Sequence, residues 1–143
     1  MTIDERHPSV TPGLLYEDGA TAIDWLCEAF GFERRLVVPG PDGAILHAHL
    51  TFGNGGIFLG TVGREEVPGF YGAPRALAGK PASGVNVLVE DTDTHYARAV
   101  AAGAEILIPI EDKPYGGRGY SCRDLEGHIW SFGSYDAWAD PAR

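Results

Sequence analysis

One internal repeat constrains the fold of this chain more than any other feature. The segment LLYED at Leu14–Asp18 matches VLVED at Val87–Asp91 at an offset of 73 residues, and GIFL at Gly56–Leu59 matches HIWS at His128–Ser131 at an offset of 72. Each copy contains a short apolar strand, a helix and three further strands. We therefore predict an α+β fold of two βαβββ modules in tandem, with mixed sheets that curve around a cavity.

The repeat also predicts the boundaries of the modules. The first module is expected at residues 9–62 and the second at residues 83–135, followed by a tail at 136–143. Residues 63–82 contain three prolines, four glycines and no clear periodicity, which is typical of a linker. Because one helix covers only one face of each sheet, the remaining faces are expected to enclose a space between the modules, where ligands tend to bind.

Each module contains one helix. Apolar residues at helical spacing predict the first helix at Ala20–Phe30, and Gly31 ends it because glycine readily adopts the left-handed conformation. The second helix is predicted at Thr92–Ala102, with Thr92 or Asp93 as its N-cap.

A β-hairpin is predicted within Tyr115–Tyr135. Its turn lies at Asp124–Gly127, and its return strand is His128–Gly133, rich in bulky residues that suit a sheet. His128 stands at the turn and is expected to be exposed. The composition of this hairpin fits either one wall of a binding cavity or ordinary core.

The composition narrows the classes of partner. The formal net charge of −9 argues against binding to nucleic acid or to anionic membranes, and it suits a cationic or neutral small molecule. The chain has no apolar run of the ~20 residues that cross a bilayer and no secretory signal, so a cytoplasmic location is expected. Two distant cysteines, Cys27 and Cys122, are expected to be reduced and packed as small apolar residues.

The chain resembles the vicinal oxygen chelate superfamily, which includes glyoxalase I, extradiol dioxygenases, fosfomycin-resistance enzymes and bleomycin-resistance proteins. The resemblance covers Val10–Tyr135 and rests on the paired βαβββ pattern, on Ala20–Trp25 with Phe30–Phe32, and on the motif RDLEGHIWSF at Arg123–Phe132. That motif looks like the closing hairpin of the bleomycin-resistance-like and uncharacterised glyoxalase-like branches. The resemblance implies the fold more strongly than the function, because one scaffold hosts several chemistries.

The enzymes of this superfamily hold a divalent metal with His and Glu side chains on the first and last strands of each module. The resemblance assigns four positions of this chain to those ligands. They are Thr11, Phe58 or Leu59, Val85 or Asn86, and Ser131. None of these side chains is an imidazole or a carboxylate, so no metal site is predicted there and no cofactor is expected.

Two histidines leave a divalent metal open. Strand alternation places His47, His49 and Thr51 on one face of the predicted strand Ile45–Phe52. Such a pair can bind a metal if a third ligand reaches it. Otherwise the two histidines are structural or line the cavity.

The candidate ligand-binding residues are polar and aromatic side chains of the predicted cavity. They are His47, His49, Phe58, Arg118, Tyr120 and Ser131. If Ser131 takes the inward position that the resemblance implies, Trp130 faces the helix and belongs to the core.

Two functions follow from these features. The first is a binding protein, similar to the bleomycin-resistance branch, that forms a homodimer and sequesters a planar or cationic compound without metal catalysis, with antibiotic resistance as the implied role. The second is a metal-dependent glyoxalase- or dioxygenase-type enzyme with non-standard ligands around His47 and His49. No catalytic residue is assigned in either case.

Overall fold

The computed structural model of the chain describes residues 7–63, 71–78 and 80–139. The elements of the first half are β1 (Gly13–Tyr16), α1 (Gly19–Phe30), β2 (Glu33–Pro39), β3 (Ile45–Phe52) and β4 (Gly55–Thr61). A short 3₁₀ helix (Pro74–Leu77) follows. The elements of the second half are β5 (Gly84–Leu88), α2 (Thr92–Ala101), β6 (Glu105–Asp112), β7 (Arg118–Arg123) and β8 (Ile129–Gly133).

Each half forms its own four-stranded mixed sheet. The strand orders are β1-β4-β3-β2 and β5-β8-β7-β6, so the second sheet repeats the topology of the first. The first strand of each half runs parallel to the last, and the other neighbours are antiparallel. The predicted tandem βαβββ fold is therefore confirmed. Neither helix of the described residues is long and apolar enough to cross a membrane.

The predicted N-cap of α2 is wrong by one position. Asp91 caps the helix, with its carboxylate accepting hydrogen bonds from the Thr94 amide at 3.1 Å and the Thr94 hydroxyl at 2.7 Å. The hydroxyl of Thr92 instead donates to the Arg118 carbonyl oxygen at 3.1 Å. An acidic N-cap satisfies an amide that has no partner within the helix.

Helix α2 holds the C-terminal end of α1. Arg98 donates from Nε to the Glu28 carbonyl oxygen at 2.7 Å and from Nη2 to the Cys27 carbonyl oxygen at 3.0 Å. His95 Nε2 lies 2.8 Å from the Phe30 carbonyl oxygen. These contacts satisfy carbonyl groups that the last turn of a helix leaves without partners, and they join the two halves.

The two halves share one hydrophobic core. The ring of Phe30 in α1 lies 5.2 Å from that of Trp130 and 4.7 Å from that of Phe132, both in β8. Trp130 and Cys122 are fully buried, which agrees with the expected core placement of both. Burial raises the pKa of the Cys122 thiol to about 12, so this cysteine is an inert packing residue.

Asp124 forms a buried junction between the halves. One oxygen of its carboxylate accepts hydrogen bonds from the Tyr16 hydroxyl at 2.6 Å and from Trp130 Nε1 at 3.0 Å. The other oxygen accepts from three backbone amides of the turn that follows, those of Glu126, Gly127 and His128. Asp124 is only 5% exposed, so these donors have no ready access to water.

Two more side chains of the same turn reach the first half. Glu126 accepts hydrogen bonds from the backbone amides of Glu17 at 2.6 Å and Asp18 at 2.9 Å. His128 Nε2 lies 2.7 Å from the Leu15 carbonyl oxygen, and its side chain is partly buried. The expectation that His128 is exposed is therefore wrong, because β1 packs against this turn.

The described part of the predicted linker also packs on this junction. Pro74 is buried, and Arg75 forms an ion pair with Glu17 at 2.6 Å. Residues 64–70 and 79 of the linker, and residues 140–143 of the tail, lie outside the described residues.

His95 predicts a pH dependence of stability. A carbonyl oxygen only accepts, so Nε2 carries the hydrogen and Nδ1 accepts from the Tyr120 hydroxyl at 2.7 Å. Burial lowers the pKa of His95, opposed by the hydrogen bond to Phe30 and reinforced by the charge of Arg98. The unfolded chain therefore takes up this proton at a higher pH than the folded chain, near the ordinary histidine pKa of about 6.5.

Stability is thus expected to be complete above that pH and to decline as the pH falls below it. The loss can reach about 1.4 kcal/mol for each pH unit in which only the unfolded state is protonated. Urea denaturation of the wild type and of His95→Gln across this interval measures the effect. The wild type should lose more stability than the variant, and equal losses would contradict the assignment to His95.

Candidate ligand-binding groove

A groove of about 600 Å³ lies on the second sheet, on the face that points away from the helices. Its lining extends from Asn86 on β5 to Trp138 after β8, all within the second half of the chain. The sequence led us to expect a space between the two modules. The helical faces of both sheets are instead filled by α1, α2 and the shared core, so the groove forms on an outer face.

Small polar residues and glycines form the floor of the groove. Asn86, Ser131 and Ser121 lie side by side on β5, β8 and β7. The two serine hydroxyls are 2.7 Å apart and share a hydrogen bond. Two residues further along, Gly119 and Gly133 are paired on β7 and β8 and face the same side. The absence of side chains at this glycine pair makes the recess.

Exposed aromatic and aliphatic side chains surround this floor. The rings of Tyr115 and Tyr135 meet edge to face with centroids 5.1 Å apart, and the side chain of Trp138 is 95% exposed. Leu88 and Ile108 add apolar surface from β5 and β6. This rim can cover the apolar face of a flat molecule.

The structure places the six predicted ligand-binding residues in three locations. Ser131 lies in the floor, and Arg118 lines the edge of the groove. Tyr120 is also among the lining residues, but its side chain is only 1% exposed and its hydroxyl contacts His95. Burial raises the pKa of this tyrosine. The ring of Tyr120 thus belongs to the core, because it alternates with Ser121 on β7.

The other three predicted residues form a second group on the outer face of the first sheet. The ring of Phe58 lies 5.0 Å from that of His47 and 5.2 Å from that of His49. Phe58 pairs with His49, and His49 pairs with Leu36, so these three side chains share one face. Phe58 is 41% exposed and Leu36 is 51% exposed. We call this surface the Phe58 face.

The strand register resolves the positions that the resemblance assigned to metal ligands. Phe58 faces outward, whereas Leu59 is buried; Asn86 faces the groove, whereas Val85 packs on the core. Asn86 pairs with Ser131 in the groove. Asparagine, serine and phenylalanine do not form the donor set that a divalent metal of this kind requires.

The histidine pair does not complete a metal site either. Within the described ranges, no cluster of three or more His, Cys, Asp or Glu side chains is arranged to hold a metal. Burial lowers the pKa of His49, and the positive charge of Arg35 adds to this effect. A cation beside His49 opposes the approach of a second cation. The residues present therefore do not fit the metal of the superfamily's enzymes.

Most of the floor and rim was missed from the sequence. The residues concerned are Asn86 as a ligand contact, Gly119, Ser121, Gly133, Tyr115, Tyr135 and Trp138. One signal was available, since small residues alternate with bulky ones on both strands of the closing hairpin. That alternation indicates a face without bulky side chains, but it does not tell whether the face is covered.

Comparison with known proteins identifies the family. The sequence profile of the Glyoxalase/Bleomycin resistance protein/Dioxygenase superfamily matches residues 9–132. The chain belongs to this superfamily. The uncharacterized protein Rv0887c of Mycobacterium tuberculosis is 35% identical over 130 residues, which cover 88% of this chain and 74% of the relative.

Solved structures agree with this membership. TioX from Micromonospora sp. ML1 has a TM-score of 0.72 and 39% identity, covering 88% of this chain and 97% of TioX. The fosfomycin resistance protein FosX from Listeria monocytogenes has a TM-score of 0.64 at 13% identity, covering 91% of this chain and 94% of FosX. The likeness to FosX concerns the fold alone.

Proposed function

We propose that this protein binds a planar small molecule in the groove of the second sheet and holds it without metal catalysis. The observation that carries the proposal is the floor itself. Paired glycines form a recess beside a row of uncharged polar side chains, and aromatic rings stand around it. A groove of about 600 Å³ with few polar groups is typical of small-molecule sites.

The same positions support binding over catalysis. Where the superfamily's enzymes are expected to place metal ligands, this chain has Phe58, Asn86 and Ser131. Hydroxyl and amide groups can orient a ligand by hydrogen bonds, but they do not supply a Lewis acid. The superfamily's printed description includes bleomycin resistance proteins, and FosX is described as a fosfomycin resistance protein. Stoichiometric binding of an antibiotic is the corresponding role for this chain.

The proposal includes a homodimer in which the Phe58 face of one copy covers the groove of the other. This arrangement would give His47, His49 and Phe58 a place beside the ligand. Phe58, Leu36 and Val38 are exposed apolar side chains on one sheet face, and the groove floor is made of small residues. Large side chains on one surface and small ones on the other are complementary in shape.

The variant Ser131→Phe tests the groove. Ser131 in β8 occupies the position of Phe58 in β4, so the fold already accepts phenylalanine at this place in its repeat. The new ring would fill the floor and lower the affinity for a bicyclic planar probe such as isoquinolinone at least about tenfold, the loss of roughly 1.4 kcal/mol of contact energy. NMR titration of backbone amides measures the affinity and locates the site.

Ser83→Phe, an exposed position outside the groove, is the matched control and should bind as the wild type does. Binding that perturbs other surfaces, or that Ser131→Phe leaves unchanged, would contradict the groove assignment. Metal analysis tests the alternative chemistry. Stoichiometric Zn²⁺, Ni²⁺, Mn²⁺ or Fe²⁺ that is lost in a His47→Ala, His49→Ala double variant would overturn binding without metal.

A further inference from the structure

The polar row of the groove floor is uncharged and offers both donors and acceptors. Asn86, Ser131 and Ser121 lie in register on three adjacent strands. One hydrogen of the serine pair is used in their mutual bond at 2.7 Å, which leaves one hydroxyl hydrogen and several lone pairs. The amide of Asn86 supplies further donors and an acceptor. A ligand edge that meets this row needs a donor and an acceptor next to each other.

The geometry of the floor sets the distance from that edge to the rest of the ligand. Gly119 precedes Ser121 by two residues, and Gly133 follows Ser131 by two, so the glycine pair and the serine pair are about 6.6 Å apart. An aromatic ring of ordinary size can rest on the backbone of the glycine pair and present its edge to the serine pair. A side chain on Gly119 would obstruct this position, since its Cβ would lie 3.0 Å from the Phe132 carbonyl oxygen.

The two cations that line the groove are already paired with acids. Lys113 Nζ lies 2.8 Å from a Glu111 carboxylate oxygen, and the Lys113 side chain is only 15% exposed. Arg118 contacts Asp93 and Asp112, each at 3.2 Å. An anionic ligand would have to compete with these carboxylates while it gives up its own hydration.

A cationic ligand has a single carboxylate available among the described lining residues. That group is Asp136, whose Oδ1 accepts a hydrogen bond from the Trp138 amide at 2.9 Å. It lies in the segment after β8, at the rim rather than on the strand floor. The charge of Asp136 therefore has no partner position beside the polar row.

We infer that the ligand is an uncharged planar heteroaromatic compound whose edge carries an adjacent hydrogen-bond donor and acceptor, as in a cyclic amide. This inference rests on the proposed function and specifies its ligand class. It separates the neutral alternative from the cationic one that the acidic composition also allowed. The aromatic rim would cover the ring, and Asn86, Ser121 and Ser131 would read the edge.

Four probes with the same bicyclic frame test the inference. Isoquinolinone is neutral with an adjacent N–H and C=O, naphthoate is an anion, N-methylisoquinolinium is a cation, and naphthalene has no polar edge. We expect isoquinolinone to bind about tenfold more tightly than each of the others, since two added hydrogen bonds contribute about 1–2 kcal/mol together. NMR titration of the wild-type protein gives the four affinities at one site.

The double variant Ser121→Ala, Ser131→Ala keeps the shape of the floor and removes its hydroxyls. It should bind isoquinolinone and naphthalene equally, whereas Ser83→Ala should keep the wild-type preference. Tighter binding of naphthoate or N-methylisoquinolinium, or a preference that survives the double variant, would overturn the neutral ligand class and leave the groove function standing. If no probe perturbs the groove amides, the proposed function fails and the inference fails with it.

Discussion

Replacement of Asp124 by alanine is expected to lower the free energy of unfolding by about 3–5 kcal/mol, because several buried donors lose their acceptor at once. The carboxylate accepts from Tyr16, Trp130 and three backbone amides, and it is 5% exposed. Each buried donor without a partner costs about 1–3 kcal/mol, although relaxation recovers part of this sum. The loss also separates the two halves, since Tyr16 belongs to the first and Trp130 to the second.

Urea denaturation followed by tryptophan fluorescence measures this effect. Asp24→Ala is the matched control, because Asp24 is an exposed carboxylate paired with Arg34 and should contribute less than about 1 kcal/mol. If Asp124→Ala does not fold, Tyr16→Phe gives the same test in smaller steps, with an expected loss of about 1–2 kcal/mol. Values for Asp124 and Asp24 variants within experimental error of each other would show that the junction contributes little.

Phe58→Asp is expected to dissociate the proposed homodimer, with a rise of at least about 30-fold in its dissociation constant. A central aromatic anchor typically contributes 2 kcal/mol or more to an interface, which corresponds to that factor. The aspartate would bring a charge into the middle of the Phe58 face, between His47 and His49. Since Phe58 is 41% exposed in the single chain, the fold itself should tolerate the change.

Sedimentation velocity over a range of protein concentrations measures the dissociation constant, and circular dichroism checks the fold. Leu77→Asp introduces the same charge at another exposed apolar residue, on the 3₁₀ helix, and should leave the dimer intact. Affinity for the planar probe should fall together with dimerisation if the Phe58 face covers the groove. A wild-type chain that sediments as a monomer, or a Phe58→Asp dimer of unchanged stability, would contradict this arrangement.

Much of the fold was predictable because it depends on local pattern and on repetition. The repeat at an offset of 73 residues gave two copies of one topology, and both copies formed it. The alternation of Trp130 with Ser131 predicted which of them is core, and Trp130 is fully buried. By contrast, the cap at Asp91 was missed by one position, because three neighbouring residues can all cap a helix and only the chain path selects one.

The contents of the candidate site were harder to predict. Tyr120 has the chemistry of a ligand contact, but its parity on β7 sends the ring to His95 in the core. His128 has the position of an exposed turn residue, yet β1 lies against it. Both outcomes depend on elements about 25 and 113 residues away in the sequence, and no local pattern reports such contacts.

The sequence by itself determined the family, the tandem βαβββ fold and the lack of metal-ligating side chains at the four implied positions, because each of these is a matter of residue identity and spacing. Only the tertiary structure decided where the groove lies. The packing of α1 against α2 fills the inner faces of both sheets, which leaves the outer faces for binding. Strand register then placed Asn86, Ser121 and Ser131 in one row, since pairing between strands, and not order along the chain, sets which side chains meet.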